Sequence, residues 1–506
     1  MSDFLVEDKF YTLSEIHQCV LDGLKISLSK PIKELVVASH KALTRTISSG
    51  ETIYGVNTGF GKLSQVKIKK DKMQLLQDNL LKSHAAGVGP PAPNIIVKMM
   101  ILLKIISLSK GYSGIRLELI NKIIDLTNHD CIPLVPSQGS VGASGDLAPL
   151  SHMALPIIGL GEIIFDTQCY SADVILKKLK IKPLSLSYKE GLALINGTQF
   201  STAYGIDSII RLQQLSKIAD IAGSISTEGL MGTDQAFLNK VHELKNHKGQ
   251  KDSAANLYSL LQNSAIHESH VNCERVQDMY SIRCMPQVHG ACRDSISAAA
   301  SMIGNEINSV SDNPLVFLDG SVISAGNFHA EHVAQAMDIA AIAAAELGNI
   351  SERRTFALTK GDFGLQPCLT NHPGINSGVM MWHVTAAALA SENKGLSHPA
   401  SVDNIPTGAD QEDHVSMAPW SGRKLYQMID NLENILAIEI LCGCRAIILR
   451  NGLQPGLGVK CAFDEVRKYI STIDEDQILQ NDIKSIIELI KTGNLLAAVE
   501  SKIKLL

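Results

Sequence analysis

From Ser295 to Ile307 the chain reads Ser-Ile-Ser-Ala-Ala-Ala-Ser-Met-Ile-Gly-Asn-Glu-Ile, and Glu331 to Leu347 is again rich in alanine. Both stretches carry small residues on several helical faces. Alanine is the strongest helix former, and its short side chain lets neighbouring helices approach closely. Asn431 to Leu449 places Leu432, Ile435, Leu436, Ile440 and Ile447 at helical spacing. Helices that are apolar on most faces become buried, so these segments predict a mainly α fold with a long central helical bundle. Between them lie loops rich in Gly, Asn, Pro and Asp: Ser311 to Pro314, Asn371 to Gly378 and Asp403 to Asp410. Loops held on a rigid helical frame are where chemistry is expected. The most apolar window, Ile95 to Leu108, is too short to span a bilayer and contains Lys98 and Lys104.

Composition narrows the class. Of 506 residues, 45% are hydrophobic and 19% charged, which is a globular balance. The net charge of −5 comes without a long basic run, so neither nucleic acid nor an anionic membrane is an expected partner. Ten cysteines are scattered without framework spacing, as free thiols in a reducing compartment would be. The opening Met1-Ser-Asp-Phe-Leu-Val-Glu7 lacks the basic and apolar regions of a signal peptide, and a cytoplasmic location is expected. No Pro/Ser-rich linker divides the chain.

Five segments carry candidate chemistry. Gly139-Ser-Val-Gly-Ala-Ser-Gly-Asp-Leu-Ala-Pro149 surrounds Ser144 with small residues. It lacks the residue a nucleophile elbow places between serine and the final glycine, and no Gly-Lys-Ser/Thr follows to make a phosphate loop. The plain reading is a turn in which Ser144 or Asp146 starts a helix. Just upstream, Ile132 to Pro136 has the look of a strand whose prolines bar it from a sheet centre. His329-Ala-Glu331 resembles half a zinc deaminase motif, but the Pro-Cys-x-x-Cys half is missing and no metal is expected. Gln277, Tyr280 and Arg283 recur every third residue and would share a face in a helical stretch, offering an amide, a phenol and a guanidinium to a carboxylate. Tyr54 opens the glycine-rich Tyr54-Gly-Val-Asn-Thr-Gly-Phe-Gly61. Gln411-Glu-Asp-His414 places carboxylates and an imidazole where an exposed helix could begin, with Thr407 as its cap.

Together, in order along the chain, these segments resemble the aromatic amino acid lyases that carry a methylidene-imidazolone (MIO) group. The likeness runs from Tyr54 to Ser416 and includes Ser83-His-Ala-Ala-Gly-Val-Gly89, Glu190 to Gln199, Ser311 to Leu315 and Gly326-Asn-Phe-His-Ala-Glu331. It implies that the amide nitrogen of Gly145 attacks the carbonyl carbon of Ala143 and closes a ring with loss of water. A second dehydration would turn the Ser144 side chain into an exocyclic methylidene, so the electrophile is protein-derived and no external cofactor is needed. Glycine leaves the attacking nitrogen unhindered, and serine supplies the hydroxyl to eliminate.

The same resemblance implies roles for the other residues. Tyr54 would take the substrate's β-proton; a phenol ordinarily ionises near pH ~10, so such a base needs positive charge or hydrogen-bond donors beside it. Arg283 would pair with the substrate carboxylate. Asn196 and Gln277 would hydrogen-bond the MIO carbonyl or that carboxylate, Tyr280 would relay a proton, and Phe328 would pack on the MIO ring. Histidine-specific members resemble this chain at His84 and Glu412, which implies L-histidine as substrate, trans-urocanate and ammonia as products, and a homotetramer with shared active sites. Lyases or 2,3-aminomutases acting on tyrosine or phenylalanine are the alternative on the same scaffold, and a non-catalytic helical oligomer is a third reading. His289 and His332 depart from the family pattern, as do Gly408 and Asp410 slightly. The expected division is an N-terminal lobe with the MIO loop over residues 1–200 and a helical bundle over 201–506, as one continuous lyase unit.

Overall fold

The computed structural model describes residues 3–271, 273–450, 452–470 and 475–506. It is mainly α, as the periodicity predicts, and the strands among the described residues are short, in three two-stranded sheets and one three-stranded sheet. Contacts group the chain into two units. The first combines Met1–Ser208, Ala299–Asp338 and Pro399–Arg423; the second combines Ile209–Ala298, Ile339–His398 and Lys424–Leu506. A single cut near residue 200 does not describe this grouping, for a simple reason. Four of its boundaries fall inside long helices, Gln199–Gly229, Met285–Ile307, Glu331–Thr359 and Ala418–Ile448, which continue through them without a break. The three long helical patterns read from the sequence lie in the last three of these, with only Leu449 falling one residue past a helix end.

In the first unit, α1 (Met73–His84) is followed by β1 (Val88–Pro91) and α2 (Asn94–Ser109). Then come β2 (Ile132–Pro133), β3 (Pro136–Gln138), α3 (Leu147–Ala154) and α4 (Glu190–Ile195). The proline-flanked run near 132 makes two short strands, β2 on Glu162–Phe165 and β3 antiparallel to β1. The apolar window becomes α2, with nearly every side chain buried and packed against Leu13–Leu21, Lys30–Ser48 and Leu117–Asn128. Lys104 sits fully buried in its middle.

Helices α1, α3 and α4 pack mutually, and each ends at a predicted site residue. His84 is the last residue of α1, Asp146 precedes the first residue of α3, and Asn196 follows α4. The approach of α1 to α4 requires a glycine. A Cβ on Gly191 would stand 2.7 Å from the Gln77 carbonyl oxygen. Three short helices locked together in this way bring three distant stretches of sequence to one place.

Within the second unit, charge is buried beside the apolar helices. The Arg354 guanidinium grips the Glu439 carboxylate with both arms, Nε to Oε1 at 2.5 Å and Nη2 to Oε2 at 2.9 Å. Ser226 Oγ donates to the same carboxylate. His289 explains its departure from the family pattern here: it is fully buried, with Nδ1 2.8 Å from Asp220 Oδ1 and Nε2 3.3 Å from Arg354 Nη1. Burial pushes the Asp220 carboxyl up, but Arg293, His289 and Asn256 more than offset this and hold it at about 2. All ten cysteines are free thiols. Helix Glu331–Thr359 is long and apolar enough to cross a membrane, yet Ala334, Met337, Ala341 and Ala344 along it are fully buried in the protein.

Removing one partner of a buried, bidentate ion pair leaves the other charge uncompensated. Arg354→Met should therefore lower stability by about 3–5 kcal/mol, and adding Glu439→Leu should restore much of the loss. Denaturant unfolding of the two variants measures this; an unchanged midpoint for Arg354→Met would contradict the assignment.

Candidate active site

A cavity of about 1170 Å³ opens in the first unit, and Tyr54, His84, Ser144, Asn196, Phe328 and Glu412 all line it. Six residues from between positions 54 and 412 thus meet around one space. Ala143 lines it too.

The 139–145 loop is held from both sides. On one side Ser416 Oγ donates to the Gly142 carbonyl at 3.0 Å, and the Met417 N–H donates to the Val141 carbonyl at 2.9 Å. On the other, a backbone bridge pairs Gly145 with Gly197, and the Asp146 N–H donates to the Gly197 carbonyl at 2.7 Å. A further bridge pairs Ala143 with Gly145, so the tripeptide is folded back on itself. Gly145 has φ +77°, and a Cβ there would lie 2.2 Å from the Gly197 carbonyl oxygen. Only glycine accepts both the angle and the contact.

Asp146 does not cap α3 with its side chain. Its carboxylate turns instead to Ser201, accepting the backbone N–H at Oδ2 and the hydroxyl at Oδ1, each at 2.8 Å. Complete burial pushes this carboxyl up to about 6 against the pull of the Ser201 hydrogen bonds and the nearby Lys104.

Ser144 Oγ donates to Glu412 Oε1 at 3.4 Å, a long contact between the loop and the acidic segment. Thr407 Oγ1 donates to the other carboxylate oxygen at 2.7 Å. Thr407 is thus no helix cap. Residues 407–412 form a turn closed by paired backbone hydrogen bonds between its ends, with Gly408, Ala409 and Asp410 all left-handed. The slight departures from the family pattern at Gly408 and Asp410 lie at two of those left-handed positions.

His84 Nδ1 lies 2.9 Å from the Leu80 carbonyl, which places the ring proton on Nδ1 and leaves Nε2 as an acceptor. Burial lowers its pKa, opposed by that carbonyl and by the charge of Glu412, so the ring stays neutral to lower pH than an ordinary histidine. Asn196 is buried with its amide donating to the Asn313 carbonyl at 2.8 Å. Tyr54 Oη accepts the Gly61 N–H at 3.0 Å, and its ring meets Phe60 edge to face. That N–H is one of the donors a phenol base needs.

Gln277, Tyr280 and Arg283 are not brought to this cavity. They belong to the second unit, and none is among the described residues lining the space around Ser144. Only Tyr280 and Arg283 share a helical turn, the guanidinium lying 4.5 Å over the phenol ring, while Gln277 precedes the turn. Tyr280 is 71% exposed.

Several supporting residues carry no role in the site on sequence grounds. His329 and His414 line the cavity with parallel rings 5.7 Å apart. Lys189 and Asp312 form a buried ion pair at 2.5 Å beside Asn313, and Lys104 donates to the Ala193 and Asn196 carbonyls. The one available signal was a lysine in the middle of the most apolar window.

A model of the aromatic amino acid lyase family matches residues 11–468. The histidine ammonia-lyase of Myxococcus xanthus is 45% identical over 500 residues, 98% of each chain. Among solved structures, histidine ammonia-lyase from Trypanosoma cruzi superposes with a TM-score of 0.92 at 37% identity, over 99% of this chain and 96% of that one. Tyrosine aminomutase from Streptomyces globisporus gives a TM-score of 0.93 at 30% identity over the full length of both.

Gly145→Ala should leave the protein folded but forbid the contact with Gly197. If the parent loop matures as the family resemblance implies, intact-mass analysis is expected to show the variant heavier by two waters plus the added methylene. A variant heavier by the methylene alone would refute the role given to this contact.

Proposed function

The chain belongs to the aromatic amino acid lyase family, and we propose that it removes ammonia from L-histidine to give trans-urocanate, the opening step of histidine breakdown. It is a carbon–nitrogen lyase. The observation that carries the histidine reading is the meeting of Ser144 with the Glu412 carboxylate in a cavity that His84 also lines.

Ala143-Ser144-Gly145 fits the precursor of an MIO group. The tripeptide is already bridged end to end, the attacking nitrogen belongs to a glycine, and the serine carries its hydroxyl into the cavity. Once formed, the group supplies an electrophilic carbon that draws electron density from the substrate and so eases departure of the amine.

The chain's own residues do the rest. Tyr54 is the base for the β-proton, its oxygen held by the Gly61 N–H. Glu412 and His84 Nε2 offer two acceptors to the N–H groups of an imidazole, for which a phenyl ring has no counterpart. Thr407 keeps the carboxylate aimed by occupying its second oxygen. Asn196, locked to the Asn313 carbonyl, presents a fixed polar edge beside Ser144, and Phe328 closes the apolar side.

The carboxylate clamp comes from another copy of the chain. Gln277 and Tyr280 are exposed and Arg283 is half-buried in the second unit, and none is among the described residues that line the cavity, which supports a homotetramer whose sites are completed between subunits.

Two measurements test these assignments. Glu412→Gln should lower kcat/KM for histidine by about 100-fold, followed by urocanate absorbance, because a charged acceptor is lost; a variant that keeps full activity would remove the basis for the substrate assignment. Ser144→Ala and Arg283→Ile should each be inactive alone but regain activity when co-expressed. Failure to regain it would mean that each site is completed within one chain.

A further inference from the structure

Lys104 is a buried cation that no step above uses. It projects from the middle of α2, is 1% exposed, and donates to the carbonyls of Ala193 at 3.2 Å and Asn196 at 2.5 Å. Those carbonyls belong to the last turn of α4 and to the residue that follows it. They carry the negative end of the helix dipole and lack amide partners within the helix. Burial pulls the ammonium down to about 7; Asp312 and Asp146 oppose this and Lys189 adds to it. Holding a charge there is unfavourable unless the contact is needed.

What the contact holds is the turn on which the reactive loop rests. Gly197 follows Asn196 directly, with φ +122°, and its carbonyl both accepts the Asp146 N–H and abuts Gly145. On the far side, the Asn196 amide is tied to Asn313, next to the Lys189–Asp312 pair. With the carbonyl of Asn196 fixed by Lys104 and its side chain fixed by Asn313, the 196–197 turn cannot retreat from Gly145.

We propose that Lys104 is a positioning residue for maturation of the active site: by clamping the Asn196–Gly197 turn it keeps the Gly145 nitrogen pressed toward the Ala143 carbonyl carbon. This rests on the MIO reading above. In the first dehydration a bond forms between Gly145 N and Ala143 C, and the Ala143 carbonyl oxygen leaves as water with the amide protons of Gly145 and Ser144. In the second, Ser144 Oγ leaves as water with its own proton and the Ser144 α-proton, and the Cα–Cβ double bond remains. No oxidant or further reactant enters. Lys104 touches none of these atoms; it acts through the turn.

The experiment is a time course after induction, with mass spectrometry of the segment around Gly139–Pro149 from soluble, assembled protein. In the unaltered chain the segment is expected to lose two waters; if it does not, the MIO reading itself fails and Lys104 is not at issue. Given maturation there, Lys104→Met should fold with unchanged circular dichroism and assembly but lose water at least roughly tenfold more slowly, as removal of a charge-assisted hydrogen bond implies. Activity should then track the dehydrated fraction, with KM unchanged. Lys104→Gln serves if the methionine variant does not fold. Water loss at the parental rate in a folded variant overturns the proposal. So does insolubility of both variants, which would make the lysine a requirement of folding instead.

Discussion

The site depends on two stretches of backbone lying closer than any side chain permits. Gly145 rests on the Gly197 carbonyl with no room for a Cβ between them, and the neighbouring amide of Asp146 is hydrogen-bonded to that same oxygen. An amide is a feeble nucleophile, and bringing it onto a neighbouring carbonyl requires that the loop be denied its relaxed conformations. Much of the first unit serves that requirement. Ser416 and Met417 hold the loop before the tripeptide, and Asp146 and Ser201 hold it after. The same unit holds three mutually packed helices, α1, α3 and α4, and the largely buried α2.

Two kinds of polar burial coexist in the molecule. The Arg354–Glu439 pair in the second unit is bidentate and surrounded by further partners, so its charges satisfy each other. Lys104 in the first unit has no carboxylate within hydrogen-bond reach among the described residues; its compensation comes from Asp312 and Asp146 at longer range and from two carbonyls. The first arrangement fixes helices relative to their neighbours within a unit. The second fixes a turn, and a turn is what the chemistry touches.

The long alanine-rich helices were legible in the sequence because their periodicity is local. The same holds for the residues grouped around Ser144, since Tyr54, His84, Asn196, Phe328 and Glu412 sit in segments whose order and composition resemble one family, and the cavity collects all of them. Three things were less legible. The unit boundaries fall within helices, where no composition shift marks them. Thr407 reads as a cap, because nothing local says that its hydroxyl will meet a carboxylate five residues on instead of a backbone amide. Gln277, Tyr280 and Arg283 read as one polar face, yet the helical turn begins at Tyr280 and the cavity does not include them. Each shortfall is a matter of contacts across long sequence separations or of backbone geometry that single residues do not encode.

The turn from Thr407 to Glu412 closes on itself through its own backbone and through Thr407 Oγ1, while the reactive tripeptide is anchored elsewhere, on Gly197, Ser201 and Ser416. On the proposed function, the turn assigned to the substrate's ring and the loop assigned to the electrophile are thus anchored separately and share the 3.4 Å contact between Ser144 and Glu412. Such a layout lets one drift without disturbing the other. A lineage with this frame could exchange the short turn, and with it the ring it recognises, while inheriting the reactive loop unchanged.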